Sequence, residues 1–377
     1  MRIGIDARMY AGDFTGIGRY TYELIRHLPT LKDSNEYVVF LRAREYEHFQ
    51  PASPRITKVL ADYRHYSFGE QIGFLRVLNR ANLDLMHFTH FNAPIFYRRP
   101  YVVTIHDLTL SFFPGKKMTR LFHRLAYQFA LRNVVFHARA IIAVSKNTQK
   151  DLERLVHVPA SKIQVIYHGI DPSFGQVTPS SINDVKQRYG LLTPYFLYTG
   201  VWRDHKNVVG MIKAFDLFLK NSPEGAETFP GLLVMTGKED PFYPEVKQTI
   251  QTLGLENRVR LVGLVPEEDL KALYQGAFAY ISPSFYEGFG FSPLEAMQSG
   301  IPVLASATSS IPEVCGADNA LYFDPHDVPA IAQRMKEITT DPTLRYTLIE
   351  RGKRHVQPFR WESMARATFA FYSKACP

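Results

Sequence analysis

Apolar positions along the chain fall into short runs that are separated by longer segments of helical period. In the first half, six runs rich in Val, Ile and aromatic residues predict buried strands: RIGIDA, EYVVFL, DLMHFT, YVVTIHD, AIIAVS and KIQVIYHG. Segments such as KNTQKDLERLV carry apolar residues at helical spacing between those runs. Strands that alternate with helices in this way predict a parallel sheet covered by helices.

A second series of the same kind follows a break in the pattern. The stretch DPSFGQVTPSS, residues 171–181, is rich in Pro, Ser and Gly and predicts a linker. Strand-like runs then return, separated by helical segments such as PEEDLKALYQGA: they are YFLYTG, GLLVMTG, VRLVG, AYISPS, IPVLAS and ALYFD. The α/β pattern therefore predicts two Rossmann-like domains in tandem, and the chain shows no short repeat typical of a solenoid.

Length and composition agree with a folded protein of two domains. The chain has 377 residues, of which 46% are apolar and 21% charged, so no long disordered span is expected. Arg2 and Asp6 interrupt the first apolar stretch, which predicts a strand and not a signal peptide. Cys315 and Cys376 lie far apart and fit a reducing compartment, so we expect a cytoplasmic location.

Charge is distributed unevenly along the chain. Residues 1–172 contain 24 Lys and Arg against 14 Asp and Glu, whereas the remainder contains 20 against 22. A basic first half indicates an anionic partner, such as a membrane surface, an anionic acceptor or nucleic acid. An ordinary solvated surface explains the excess equally well, and nucleic acid is not expected because no nucleic-acid-binding module accompanies the charge.

Ligands bind open parallel sheets at the carboxyl ends of the strands, so the loops there carry the candidate site. The first loop places Gly16 and Gly18 before a predicted helix, whose early amides could hold a phosphate. A dinucleotide-binding fingerprint would require a glycine where the chain has Thr21, so an NAD enzyme is not expected. A merely flexible loop remains the alternative.

Two further loops carry charged or titratable side chains. The run YVVTIHD places His106 at a strand end, where it can hydrogen-bond a phosphate or a sugar hydroxyl, or instead cap the next helix. In YTGVWRDHKN, Arg203 and Lys206 follow a strand and could clamp a diphosphate. Solvated surface charges are the alternative for this pair.

The stretch SFYEGFGFSPLEAM contains two glutamates around a glycine-rich loop. Ser292 and Glu295 have the spacing of a capping box, which gives Glu295 a possible structural role. Gly288 and Gly290 expose backbone amides just before the predicted helix, where an anion can bind. Because Glu287 and Glu295 flank that loop and carboxylates accept pairs of sugar hydroxyls, we predict a ligand with sugars on both sides of its phosphates, which is a nucleotide sugar.

The segment EGFGFSPLE resembles the signature of retaining glycosyltransferases of the GT-B fold, family 4. The likeness extends to the Gly-rich first loop, the IHD strand end, HGID at the start of the linker and the closing FRWES. It implies an α/β protein of two Rossmann-like domains with parallel sheets facing across a cleft. The expected boundaries are 1–172 for an acceptor domain, 173–357 for a nucleotide-sugar domain and 358–377 for a helix that returns to the first domain.

The resemblance also implies roles for individual residues. Glu287 would contact the donor sugar and Glu295 the ribose hydroxyls. Backbone amides of the loop would meet the sugar and the phosphates; they belong to Gly288, Phe289, Gly290 and Phe291.

His106 would lie near the transferred sugar, and Arg203 and Lys206 would bind the diphosphate. The chain departs from the family pattern at His205, where many relatives have an arginine directly before the lysine.

The implied activity is retaining transfer of a sugar, with mannose from GDP-mannose favoured over UDP-glucose and UDP-N-acetylglucosamine, to a glycan or lipid-linked acceptor. Such transfer passes through an oxocarbenium-like transition state, for which we favour front-face attack, and cations and amides stabilise the leaving diphosphate. The chain has no D-x-D triplet, so a metal-bridged diphosphate is not supported and no metal is expected. No cofactor is expected beside the donor substrate. Two alternatives remain: a UDP-sugar 2-epimerase of GT-B fold and a non-catalytic nucleotide-sugar binding protein.

The stretch KKMTRLFHRLAYQFALRNVVFHAR, residues 116–139, predicts a basic amphipathic helix. Its cations are Lys116, Lys117, Arg120, Arg124, Arg132 and Arg139, and its apolar residues are Leu121, Phe122, Leu125, Phe129 and Phe136. In one interpretation the apolar face packs on the domain's own sheet. In the other interpretation the helix binds anionic lipid, and the protein is peripheral at the inner face of the membrane.

Overall fold

The computed structural model describes residues 1–10, 16–31, 33–115, 121–221 and 231–375. These residues form two compact units. The first unit contains the chain up to Gly169 and again from Phe359 onwards. The second unit contains Ile170–Pro358 and also Gly115. The chain therefore passes from one unit to the other close to the start of the Pro- and Ser-rich linker.

The first unit contains a parallel sheet of seven strands in the order β3-β2-β1-β4-β5-β6-β7. The strands are β1 Arg2–Asp6, β2 Glu36–Leu41, β3 Ile56–Leu60, β4 Leu85–Phe88, β5 Tyr101–Ile105, β6 Ala140–Ala143 and β7 Ile163–Val165. Six of them lie in the six predicted runs. The run ITKVL of β3 was missed because an edge strand is only half covered, and Lys58 within it breaks the apolar pattern.

The second unit contains a parallel sheet of six strands in the order β10-β9-β8-β11-β12-β13. The strands are β8 Tyr195–Thr199, β9 Leu232–Thr236, β10 Val259–Gly263, β11 Ala279–Ser282, β12 Val303–Ser306 and β13 Leu321–Phe323. All six lie in the predicted runs. Strands such as β9 are buried along their whole length, because helices cover both faces of a parallel sheet.

Helices connect the strands in both units. They are α1 Gly16–Arg26, α2 Ala43–His48, α3 Leu75–Arg80, α4 Thr109–Phe112, α5 Leu121–His137, α6 Lys146–Asp151, α7 Pro179–Arg188, α8 Val208–Lys220, α9 Glu245–Thr252, α10 Glu267–Gln275, α11 Phe291–Gln298, α12 Ile311–Cys315, α13 Val328–Thr340, α14 Pro342–His355 and α15 Trp361–Ala375. Helix α15 belongs to the first unit, where the Tyr372 hydroxyl pairs with His87 Nδ1 on β4.

Helix α1 begins earlier than the sequence predicted. Gly16 and Gly18 form its first turn and do not precede it. Glycine is unfavourable in the middle of a helix but tolerated at its start, where the first amides have no partner within the helix. Residues 11–15 of the same loop lie outside the described part of the chain.

Helix α5 carries two apolar faces, and the face identified in the sequence is not the one that packs on the sheet. Its buried side chains are Tyr127, Leu131, Val134 and Val135. The predicted packing residues are instead exposed, at 76% for Phe122, 56% for Leu125, 61% for Phe129 and 78% for Phe136. The interpretation in which this second face packs on the sheet is therefore wrong for these four residues. Residues 116–120, with Lys116, Lys117 and Arg120, lie outside the described residues.

Each sheet has one point at which the strand order reverses. It lies between β1 and β4 in the first unit and between β8 and β11 in the second. Connections leave the sheet in opposite directions on either side of such a point, so the loops diverge and leave a crevice at the carboxyl edge. The predicted site residues His106, Lys206 and Glu287 follow strands β5, β8 and β11 at these carboxyl edges.

Candidate functional site

Lys206 and Glu287 meet at the point of strand reversal in the second unit. Lys206 lies in a single turn of 3₁₀-helix, Asp204–Lys206, after β8, and Glu287 lies in the loop after β11. The Lys206 Nζ atom donates to both carboxylate oxygens of Glu287, at 2.7 and 2.9 Å. Residues that are 81 positions apart in sequence thus form one ion pair at the edge of the sheet.

Three serines hold Glu287 in place. The Ser284 hydroxyl donates to Glu287 Oε1 at 2.6 Å. Ser309 Oγ accepts the Glu287 amide at 2.9 Å, and the Ser310 hydroxyl donates to the carbonyl oxygens of Glu287 and Phe289, both at 2.9 Å. Both the backbone and the carboxylate of Glu287 are therefore fixed.

The Glu287 carboxylate is ionised at neutral pH. Burial alone would raise its pKa, but Lys206, His205 and the Ser284 hydroxyl outweigh burial and hold the pKa below its ordinary value. The side chains remain 22% exposed at Lys206 and 18% exposed at Glu287. The pair can therefore exchange partners with a ligand that brings its own anion and hydroxyl groups.

Glu295 lies on the buried face of α11 and is held by Tyr274. The Tyr274 hydroxyl, from α10, donates to Glu295 Oε2 at 3.2 Å. Thr199 Oγ1, at the end of β8, lies 2.7 Å from the Tyr274 hydroxyl and 3.2 Å from that of Tyr280. Burial raises the pKa of both tyrosines well above the usual range, so their hydroxyls stay protonated.

The predicted capping box at Ser292 does not form. Helix α11 begins at Phe291, with Gly290 as its N-cap and no side-chain cap, so Ser292 lies inside the first turn. The Ser292 hydroxyl instead acts on Tyr274 and Tyr280, whose pKa values it lowers against the larger effect of burial. The structural explanation of Glu295 as a capping residue is therefore wrong.

Gly290 determines where α11 begins. Its φ of +100° lies in a region that residues with a side chain rarely adopt, and a Cβ atom there would come within 2.7 Å of Ile311 Cδ1. The chain therefore turns into the helix directly after Gly290. The predicted loop Gly288, Phe289, Gly290 and Phe291 lies between the two glutamates, at the N-terminus of an eight-residue helix.

Arg203 is not part of the ion pair. It is exposed at the start of the turn that contains Lys206, with an extended backbone. The Asn207 residue that ends the turn adopts a left-handed conformation, and its side-chain amide donates to the carbonyl of Pro325 at 2.7 Å. This contact fixes the turn and hence the position of Lys206.

His106 lies in the first unit, directly after β5. It is buried, its ring stacks 5.3 Å from that of His168, and Nε2 donates to the carbonyl of Thr89 at 2.9 Å. Burial lowers its pKa to about 4, so the ring is neutral at pH 7. A neutral ring whose N–H is given to Thr89 offers a ligand a lone pair at Nδ1, which suits a sugar hydroxyl and not a phosphate.

Sequence reasoning missed the side chains that hold the two glutamates. Ser309 and Ser310 belong to the run ATSS that directly follows the predicted strand IPVLAS, and its place at a strand end was a usable signal. Tyr274 gave no such signal, because in the sequence it is one apolar position of an amphipathic helix.

Comparisons with known proteins cover most of the chain. A family model described as Glycosyltransferase Family 4 matches residues 14–174, and one described as Glycosyl transferases group 1 matches residues 184–355. The O-antigen chain mannosyltransferase B of Escherichia coli is 29% identical, with 95% of this chain and 96% of the relative covered. The O-antigen chain mannosyltransferase RfbU of Salmonella typhimurium is 28% identical, with 77% and 74% covered.

Solved structures of similar fold also span the whole chain. A sucrose-phosphate synthase from Thermosynechococcus elongatus has a TM-score of 0.78 at 20% identity, with 99% of this chain and 98% of that chain covered. Anabaena Alr3699/HepE in complex with UDP and glucose has a TM-score of 0.77 at 19% identity, with 99% and 100% covered. At such identities the likeness establishes the fold, and with the two parallel sheets it confirms the predicted GT-B class.

Proposed function

The chain belongs to the glycosyltransferase family 4 proteins of GT-B fold, and from that premise we propose that it transfers mannose from GDP-mannose to a glycan or lipid-linked acceptor in polysaccharide biosynthesis. The observation that carries the proposal is the pair of Lys206 and Glu287 at the strand reversal of the second sheet. A cation beside an ionised carboxylate suits a ligand that joins a diphosphate to a sugar. Lys206 binds the phosphates, and Glu287 accepts hydroxyl groups of the sugar.

Glu295 binds the ribose of the donor in this proposal. The Tyr274 hydroxyl donates to Glu295 Oε2 and so positions the carboxylate. The carboxylate can still accept hydrogen bonds from ribose hydroxyls. Between the two glutamates, the amides of the loop before α11 and the positive end of the helix dipole face the phosphates. Arg203 is exposed beside Lys206 and adds a second cation when the donor is bound.

The names of the relatives favour mannose as the transferred sugar. Two of them, matched over three quarters or more of this chain, are named O-antigen chain mannosyltransferases. GDP-mannose is the proposed donor, with UDP-glucose and UDP-N-acetylglucosamine as the alternatives to be measured beside it. No metal is required in this proposal, because Lys206, Arg203 and backbone amides supply the positive charge.

We propose transfer with retention at the anomeric carbon. The bond between the anomeric carbon and the diphosphate oxygen breaks through an oxocarbenium-like transition state. The acceptor hydroxyl then attacks the same face, and its proton passes to an oxygen of the leaving diphosphate. Lys206 stabilises the charge that develops on the diphosphate.

Binding and transfer are tested separately. GDP-mannose, UDP-glucose and UDP-N-acetylglucosamine are titrated with the thermal midpoint as readout, and released GDP is measured with and without acceptor glycan. We expect GDP-mannose alone to raise the midpoint and Glu287→Gln to keep binding but lose turnover. A product formed from a UDP-sugar without acceptor would indicate the epimerase, and binding without transfer or hydrolysis would indicate a binding protein. Either result contradicts the proposed transfer.

We further propose that the protein is cytoplasmic and binds the membrane surface through α5. Among the described residues no helix is both long and apolar enough to cross a bilayer. Phe122, Leu125, Phe129 and Phe136 are spaced as one face of α5 and are all exposed, with the exposed Arg132 in the same row. Apolar side chains among cations suit the boundary between anionic headgroups and acyl chains.

Co-sedimentation with neutral and anionic vesicles tests this surface. We expect the wild type to bind anionic vesicles at low salt and to be released at high salt. Phe122→Ser with Phe129→Ser should bind several-fold more weakly. The matched control is Leu192→Ser, since Leu192 is 78% exposed in the second unit. Equal binding to both vesicle types, or equal loss in the control, would favour a soluble acceptor.

A further inference from the structure

Tyr66 has a backbone conformation that is unusual for a large side chain. Its φ is +60°, in the left-handed region where a bulky residue is an outlier. Its side chain is 66% exposed, so the ring does little to stabilise the fold through burial. An exposed ring gains little from packing that would offset the cost of a strained backbone. Residues with such strain cluster at ligand-binding sites.

A buried carboxylate holds Tyr66 in this conformation. Glu70 Oε2 accepts the Tyr66 amide at 2.8 Å, while its Oε1 accepts from Arg8 Nη1 at 2.7 Å and from Asn92 Nδ2 at 2.6 Å. The side chains of Arg8 and Glu70 are fully buried, and Arg8 also donates to both carboxylate oxygens of Asp6. Satisfied buried ion pairs of this kind are rigid, so the Tyr66 backbone is fixed to the sheet.

The same contacts place Tyr66 at the strand reversal of the first sheet. Arg8 follows β1 and Asn92 follows β4, and the sheet reverses its order between these two strands. The Tyr66 ring lies 6.3 Å from that of Phe91, which lies 4.2 Å from His90, whose ring stacks 6.5 Å from His106. A continuous row of rings therefore leads from the exposed tyrosine to the histidine at the end of β5.

We propose that Tyr66, backed by Phe91, is the surface on which a sugar ring of the acceptor stacks. A hexose chair has one face of C–H bonds that packs on a flat aromatic ring, and its hydroxyls reach neighbouring polar groups at the ring edge. The inference rests on the proposed glycosyl transfer for the role of the sugar as acceptor, but the sugar-binding surface itself requires only the first unit.

The experiment compares three variants of the full chain with the wild type. Tyr66→Asn removes the ring and keeps a residue that tolerates the left-handed backbone, and Tyr66→Phe keeps the ring without its hydroxyl. The matched control is Tyr346→Asn, since Tyr346 is 67% exposed in the second unit. Saturation transfer from protein to an α-linked mannotriose and to maltotriose is measured by NMR, with the thermal midpoint of each sample.

We expect the wild type, Tyr66→Phe and Tyr346→Asn to transfer saturation to at least one trisaccharide. Tyr66→Asn should bind it roughly tenfold more weakly, the order expected for one lost ring contact, with a midpoint no lower than that of the wild type. Should Tyr66→Asn lower the midpoint, Tyr66→Gly replaces it, because glycine adopts this backbone freely.

Equal binding by the wild type and the ring-deleted variant overturns the inference, and so does absence of contact with both trisaccharides in the wild type. The response to GDP-mannose is recorded on the same samples. A normal GDP-mannose response with no trisaccharide contact refutes the Tyr66 surface alone. Trisaccharide contact that depends on Tyr66, in a protein that responds to no nucleotide sugar, refutes the proposed transfer alone.

Discussion

Replacement of Lys206 by Met should destabilise the second unit at neutral pH. Methionine keeps an unbranched, flexible side chain but removes the charge that pairs with Glu287 at 2.7 Å. The carboxylate would then be largely buried without the cation of Lys206, while the Ser284 hydroxyl still donates to it and Ser309 Oγ still accepts the Glu287 amide. The expected loss is therefore the cost of an unpaired charge and not of a rearranged loop.

The exposure of the pair determines the size of the effect. Removing one partner of a fully buried pair costs about 3–5 kcal/mol, whereas an exposed pair contributes about 0–1 kcal/mol. With side chains that are 22% and 18% exposed, Lys206 and Glu287 lie between these limits, and about 2 kcal/mol is expected. For a unit of about 190 residues this corresponds to a midpoint lower by roughly 4–8 °C.

The effect should depend on pH in a defined direction. The folded-state pKa of Glu287 lies below its ordinary value, so the pair stabilises the protein above the unfolded-state pKa, about 4.3, and that contribution is lost as the pH falls through the folded-state pKa. In Lys206→Met burial is no longer opposed by Lys206, and the Glu287 pKa should rise. The difference from the wild type should therefore be full at pH 7 and vanish once Glu287 is protonated.

Thermal midpoints are measured between pH 3 and pH 8 for four proteins. Lys206→Met with Glu287→Gln should recover most of the midpoint, because the unpaired charge is gone. The control is Lys220→Met, in which Lys220 pairs with Asp216 at the same 2.7 Å but is 66% exposed, and the expected change is under about 1 kcal/mol. If Lys206→Met melts like the wild type at pH 7, or if the double variant shows no recovery, the reasoning about this pair is refuted.

Three further predictions concern α11 and its surroundings. Glu295→Ala should weaken GDP-mannose binding at least tenfold and Glu295→Gln less, because an amide can still bind one ribose hydroxyl; equal affinities by calorimetry would remove Glu295 from the site. Tyr274→Phe should weaken binding by roughly fivefold, because the hydroxyl that orients Glu295 is lost, and should also lower the midpoint, because the same hydroxyl pairs with Thr199 Oγ1; an unchanged affinity would show that the bond does not position the carboxylate. Gly290→Ala should lower the midpoint by at least about 3 °C, because of its φ of +100° and the 2.7 Å approach to Ile311, and a wild-type midpoint would contradict this account of the turn.

Much of the fold could be predicted from the sequence, because its cause is local in sequence. Strands such as β5 and β9 are buried on both faces, so each is a continuous apolar run that can be recognised without knowledge of its neighbours. The loops that contain His106, Lys206 and Glu287 follow from the same pattern, since a parallel sheet brings the carboxyl ends of its strands to one edge. The edge strand β3 was missed, because partial exposure removes that signal.

Only the tertiary structure decided which of these residues meet and which faces are covered. The sequence predicted that Arg203 and Lys206 bind a diphosphate, but it did not show that the fold pairs Lys206 with Glu287 across the strand reversal. It also favoured a capping box at Ser292, but the left-handed Gly290 is the N-cap, so the helix starts sooner and Ser292 lies inside its first turn. Such contacts depend on strand order and on competition between partners distant in sequence.

In helix α5, too, the sequence did not determine which side chains are buried. Its sequence carries two apolar faces, and periodicity predicts a helix without stating which face a sheet will cover. The fold buries Leu131 and Val134 and leaves Phe122 and Phe129 exposed. The sequence by itself thus determined two parallel sheets, their helices and the loops that carry the charged groups, because burial and period are properties of a segment. Pairing and exposure were decided by the tertiary structure, because they are properties of two segments brought together.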